Sequence, residues 1–136
     1  MSDPTRAIRV IALRQPFVAF EARAWRPPLN IYETEQALTL VVDLAGANPA
    51  ELQIYVNPTL IVVRGTRQLA APPGLRRIQR MEIGAGPFEL EVPLATPVDP
   101  ERASGRYSDG LLEIAVPYAS EPTTHLVVIQ IEGGAR

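Results

Sequence analysis

The feature that most constrains this chain is a two-residue hydrophobic alternation that recurs along its middle and is broken again and again by proline. In "ALTLVVDL" it places Leu38, Leu40, Val42 and Leu44 on one face. "ELQIYV" repeats it with Leu52, Ile54 and Val56, and "TLIVVRG" with Leu60 and Val62. "PFELEVPL" sets Phe88, Leu90, Val92 and Leu94 against Glu89 and Glu91, and "GLLEIAVP" aligns Leu112, Ile114 and Val116. Successive side chains of a strand point to opposite sides, so this pattern marks antiparallel sheets with one buried and one solvated face.

The connections "GANPAE", "NPT", "ATPVDPE" and "SDG" are turn chemistry, and Asp109-Gly110 between two strand patterns signals a tight hairpin. With 14 prolines and no long helical period in the body, the sequence predicts an all-β, immunoglobulin-like antiparallel sandwich.

A chain of 136 residues is one domain's worth, and 46% hydrophobic with 21% charged residues is enough for an ordinary core. A net charge of −2 removes the electrostatic footprint of a nucleic-acid binder, and Arg76, Arg77 and Arg80 make only a local patch. There is no cysteine, hence no disulfide or thiol chemistry. The first twenty residues are interrupted by Arg9, Arg14 and Pro16, and no stretch reaches the roughly 20 apolar residues of a membrane-spanning helix. The expectation is a cytoplasmic protein without a membrane span.

Catalytic signatures fail in turn. The single histidine, His125, lies near the C-terminus, which argues against histidine-rich metal sites and a Ser-His-Asp arrangement. No phosphate-binding or nucleophile-elbow motif occurs between a strand and a helix. Glu89 and Glu91 read as a solvated strand face. Tyr32, Tyr55, Tyr107 and Tyr118 are scattered rather than forming a stacking platform. No enzyme activity, metal or cofactor is expected.

Three segments stand outside the strand pattern. Residues 1–26 carry Phe17, Val18, Phe20 and Trp25 among arginines, with a short helix suggested over 6–14. Residues 66–87 form a long connection with one strand pattern, Leu75 to Met81, between Gly74 and Gly84. A loop this long inside a compact domain points to function, and pairing with another subunit would explain it. The tail, 119–136, contains the apolar run "VVIQI".

Read together, the phrases resemble a known family. "WRPPLNIYETEQALTLVVDLAG" is similar to the opening of the α-crystallin domain of bacterial small heat-shock proteins, with Asn30 at a usual aspartate and Ala45-Gly46 at a usual Pro-Gly. "NPAELQIYVNPTLIVVRGTR" resembles the next strand pair, and "GRYSDGLLEIAVP" the late A-x-x-x-[ND]-G-[VL]-L phrase, with Gly105 at the alanine. The similarity runs from about 27 to 131. Two departures fall in "GPFELEVPLA": Leu90 stands at a usual basic residue, and Pro93 enters the strand, which marks an edge or a terminus.

The resemblance implies an ATP-independent chaperone, a holdase that binds partly unfolded client proteins and self-associates from dimers into larger oligomers. It implies an α-crystallin domain over 27–118 between a flexible arm (1–26) and a C-terminal extension (119–136). Within the domain, 66–87 would be a dimerisation loop whose Leu75, Arg76, Arg77, Ile78, Gln79, Arg80 and Met81 pair with Asn30, Ile31 and Tyr32 of a neighbour. The tail motif would be Ile129 and Ile131, or Val127 and Ile129, docking in a neighbour's groove framed by Ile54, Val56, Ala103 and Gly105. Phe17, Val18, Phe20 and Trp25 are the candidate client-binding residues. Two alternatives belong to other classes: a co-chaperone of the CS-domain type that recruits a folded partner, and a ligand-binding sandwich. The first needs neither the long loop nor the apolar tail, and the second wants an exposed aromatic row.

Overall fold

The computed structural model of the chain describes residues 25–120 and 127–133. Phe17, Val18, Phe20, His125 and the short helix expected over 6–14 lie outside the described residues.

Among the described residues nine strands follow one another: β1 Leu29–Glu33, β2 Ala37–Asp43, β3 Gln53–Asn57, β4 Leu60–Arg67, β5 Gly86–Pro93, β6 Ser104–Ser108, β7 Leu111–Pro117, β8 Val127–Ile129 and β9 Ile131–Gly133. They form two sheets, ordered β1-β2-β7-β6-β9 and β5-β4-β3-β8. All pairs are antiparallel except β6 with β9. The architecture is the β-sandwich that the alternation predicts.

The core lies between the sheets. Leu38, Leu40, Val42, Leu112, Ile114 and Val116 come from one, and Ile54, Val56, Ile61, Val63, Phe88, Leu90 and Val92 from the other. The face expected for β4 is reversed: Ile61 and Val63 are buried, whereas Leu60 and Val62 are half-buried on the far side. The reason is the preceding turn. Pro58 and Thr59 close a two-residue hairpin that pairs Asn57 with Leu60, so Val56 must face Ile61 and Ile54 must face Val63. "LIVV" fits either face by composition, and the turn sets the register.

The connections use a repeated local device. In "NPAE" and "DPER" the side chains of Asn48 and Asp99 accept from the backbone N–H of Ala50 and Glu101, at 3.0 and 3.1 Å, and a proline starts each short 3-10 turn. Proline suits that position because its missing N–H has no partner there. Between β6 and β7, Asp109 (φ 56°) and Gly110 (φ 81°) both adopt the left-handed conformation of the tight hairpin. Pro93 is the last residue of β5, an edge strand, where no ladder donor is required.

The strand expected over Leu75 to Met81 is not part of either sheet. From residue 68 to 85 the chain makes no strand.

Candidate functional site

On one side of the sandwich the two sheets end at β3 and β6, and the tail fills the gap between them. β8 adds antiparallel to β3, pairing Val127 with Val56 and Ile129 with Ile54. One residue later β9 adds parallel to β6, pairing Ile131 with Gly105. The tail therefore crosses from one sheet to the other at Gln130. Val127, Ile129 and Ile131 point inward, while Val128, Gln130 and Glu132 are exposed.

Ile129 is the deepest of these residues, 8% exposed and part of the core, and Ile131 packs against the core while partly exposed. Of the groove residues, Ile54 and Val56 are fully buried, Gly105 is buried, and Ala103 is half-buried just before β6. Gly105 leaves the floor open beneath the tail: a Cβ there would stand 3.2 Å from Ile54 Cδ1 and 3.4 Å from Ile129 Cγ2. The residues named from sequence as knob and groove are thus together, but within one chain. The sequence reading put the tail in a neighbour's groove. In a single chain the open ladder edges of β3 and β6 are its own tail's nearest partners, and the backbone pairing is the same whichever molecule supplies it.

A second surface lies at the opposite edge. β1 pairs with β2 on one side, and among the described residues no strand pairs with its other side. Ile31 and Tyr32 are half-exposed there, and Asn30 Nδ2 donates to Tyr32 Oη at 2.9 Å. The loop that leaves β4 at Arg67 carries Leu75, Ile78, Met81 and Ile83 to solvent, Met81 being 71% exposed. Arg76, Arg77 and Gln79 line an open hollow beside it, and Arg80 pairs with Glu82 at 3.0 Å. Among the described residues the loop forms no ladder with the β1 edge of its own chain.

Trp25 is not an exposed arm residue. Its indole packs edge-on against Phe88, with ring centroids 5.4 Å apart, and its Nε1 donates to the Gly86 carbonyl at 2.8 Å. It also covers the guanidinium of Arg67, whose Cζ lies 4.4 Å from the ring centroid. In this chain its ring is half-buried on the sandwich rather than free in solvent. Sequence reasoning missed Arg67 altogether. The signal was available: once Ile61 and Val63 face inward, the same alternation turns Gly65 and Arg67 inward too.

Among the described residues no group of three or more histidine, aspartate or glutamate side chains could hold a metal ion, and no helix is long and apolar enough to cross a membrane.

This sandwich has known counterparts. The model of the Hsp20/alpha crystallin family matches residues 30–132. The chain belongs to that family. Its members are small heat-shock chaperones, generally without enzymatic activity, that oligomerise and bind clients. A relative, small heat shock protein C2 of Rickettsia felis, is 20% identical over 76% of this chain and 68% of its own length. A probable 15 kDa heat shock protein of Leptospira interrogans is 23% identical over 81% and 82%. Among solved structures, hspA of Xanthomonas axonopodis matches with TM-score 0.62 and 26% identity, covering 69% of this chain and 94% of that one. A small heat-shock protein of Xylella fastidiosa, whose structure is described as having a distinct high order, matches with TM-score 0.62 and 23% identity over 82% and 98%.

Proposed function

We propose that this protein is an ATP-independent holdase: it captures partly unfolded proteins through weak apolar and backbone contacts and keeps them from aggregating. The observation that carries the reading is the docked tail. A ladder edge and an apolar floor are formed by Ile54, Val56 and Gly105, and their occupant is a short strand that contributes only Ile129 and Ile131 in depth. Two such side chains are worth roughly 1.5–3 kcal/mol each in transfer free energy, and the ordering of the tail offsets part of that. An occupant held so weakly is exchangeable for another chain's tail.

Exchange between chains is the assembly half of the proposal. The loop segment Leu75 to Met81 pairs with a neighbour's β1 edge at Asn30 to Tyr32 to make a dimer, and tails traded between dimers build larger oligomers. A tail in its own groove acts at an effective concentration of about millimolar for a short linker. Trading between chains is therefore favoured where dimers already lie side by side. Client contact falls to Phe17, Val18 and Phe20 of the arm and to the groove when its tail is out. The setting proposed is the cytoplasm. The CS-type co-chaperone alternative has no use for either the loop or the tail.

The test is light scattering of an aggregating client at its unfolding temperature, with this protein and without nucleotide. Suppression at about one subunit per client is expected. Aggregation that proceeds unchanged at several-fold excess sinks the reading.

A further inference from the structure

Four separate parts of the chain meet at one side chain. Among the described residues Arg67 is the only charged residue that is buried, at 7% exposure. Its Nε and Nη2 both donate to the Gly84 carbonyl, at 3.1 and 2.7 Å, and its Nη1 donates to the Ala45 carbonyl at 3.1 Å. The open face of the guanidinium is covered by Trp25. Arg67 ends β4, where the long loop begins, and Gly84 is where that loop returns. Ala45 belongs to the connection after β2, and Trp25 lies ahead of β1.

The fit leaves no slack. A Cβ at Gly84 would stand 2.5 Å from Trp25 Cε3 and 2.8 Å from Cδ2, so the indole lies directly on the loop backbone. Trp25 in turn donates to Gly86, the residue paired with Arg67 at the start of β5. A buried guanidinium must keep its donors satisfied and its face covered to remain where it is. Taking away the indole opens that face to water, and the fork that closes the loop is then solvated and loosened.

We propose that Arg67 and Trp25 form a latch that couples the chain at Trp25 to the 68–85 loop. While Trp25 is seated, Arg67 clamps the loop's two ends together. Displacement of Trp25 releases the clamp, and release of the loop unseats Trp25, because coupling between two sites is reciprocal. Arg67 is the positioning residue, and no ligand is required. The latch does not depend on subunits trading the loop: a protein that stays monomeric refutes that trade and leaves the latch untouched.

The chain has one tryptophan and no cysteine, which allows both ends to be read separately. A nitroxide attached at Ile83→Cys reports the loop, and Trp25 fluorescence reports the other end. A second label at Leu111→Cys on β7 is the control. In the full chain, Trp25→Leu is expected to shorten the rotational correlation time of the label at 83 by about twofold or more, with the label at 111 unchanged. Arg67→Gln is expected to mobilise the same label and to red-shift Trp25 emission. Should that variant not fold, Arg67→Lys keeps the charge but not the planar fork, and carries the same two readouts. A label at 83 that is insensitive to Trp25→Leu overturns the coupling and leaves Arg67 a plain loop anchor. Equal mobilisation at 83 and 111 means general loosening and overturns it as well.

Discussion

Ile129 packs over Gly105, where a Cβ would stand 3.4 Å from its Cγ2, so a methyl there just touches the tail and a larger side chain overlaps it. The size of residue 105 therefore sets whether the groove accepts a tail. Gly105 is in a strand with ordinary backbone angles, so larger residues fit the backbone and meet only the tail and Ile54. Gly105→Ala is expected to be nearly neutral, since the nearest neighbour is the flexible end of Ile54. Gly105→Val adds two methyl groups into occupied space, at an overpacking cost of about 1–3 kcal/mol. Amide exchange at 127–131 measures it: strong loss of protection in the valine variant, with β2 and β7 unaffected, is the expected result.

Neighbouring tail residues should differ sharply. Ile129 is buried opposite Ile54, and Val128 is 61% exposed. Ile129→Ala should weaken docking by about 1.5–3 kcal/mol. Val128→Ala should stay within about 0.5 kcal/mol. Tail amide exchange and the mass of the assembly by light scattering both read the difference. Equal effects at the two positions would mean that the tail does not lie in this groove.

The strand alternation made most of the sandwich legible, because Leu38, Leu40 and Val42 or Phe88, Leu90 and Val92 permit only one buried face. Residues 60–63 did not, since all four are apolar and the hairpin at Pro58-Thr59 decides between them. If that register is right, Ile61→Ala costs about 2–5 kcal/mol as a cavity in the core. Val62→Ala, on the half-buried face, should cost clearly less, about 1 kcal/mol. Urea denaturation of the two variants gives the order, and the reverse order would restore the face read from sequence.

The groove was legible in part for the same reason. Ile54, Val56 and the tail isoleucines announce themselves by alternation, and Gly105 by its place in a recognisable phrase. Arg67 was hidden because an inward arginine is unexpected until the strand's register is known. The packing of Trp25 was not legible because the carbonyl of Gly86 and the ring of Phe88 that hold it lie about sixty residues away in sequence.

Position 90 tests a departure from the family pattern. Leu90 is 4% exposed and pairs with Val63 in the core face of β5, while its neighbours Glu89 and Glu91 face outward. Restoring a basic residue here by Leu90→Arg would bury a charge among Phe88, Val92 and Val63. An uncompensated buried charge costs about 3–5 kcal/mol. The expected outcome is a large fall in the denaturation midpoint, whereas Glu89→Gln loses only the half-exposed pair with Arg64, worth less than about 1 kcal/mol. A stable, unchanged Leu90→Arg variant would show that the strand turns this side chain out of the core.

The loop offers a cleaner separation between folding and assembly. Ile78 and Met81 are 55% and 71% exposed and belong to no strand of their own chain. Replacing an exposed apolar side chain with aspartate costs the isolated fold little, within about 0.5 kcal/mol. If Leu75 to Met81 pairs with a neighbour's β1, however, a charge placed in that contact has to be desolvated there. The double variant Ile78→Asp, Met81→Asp should therefore keep the thermal transition of the sandwich and lose the dimer, as seen by sedimentation at micromolar concentration. Retention of the dimer would move the subunit contact away from this loop. Loss of the fold together with the dimer would instead mean that the loop packs on its own sandwich, against the exposure of both residues.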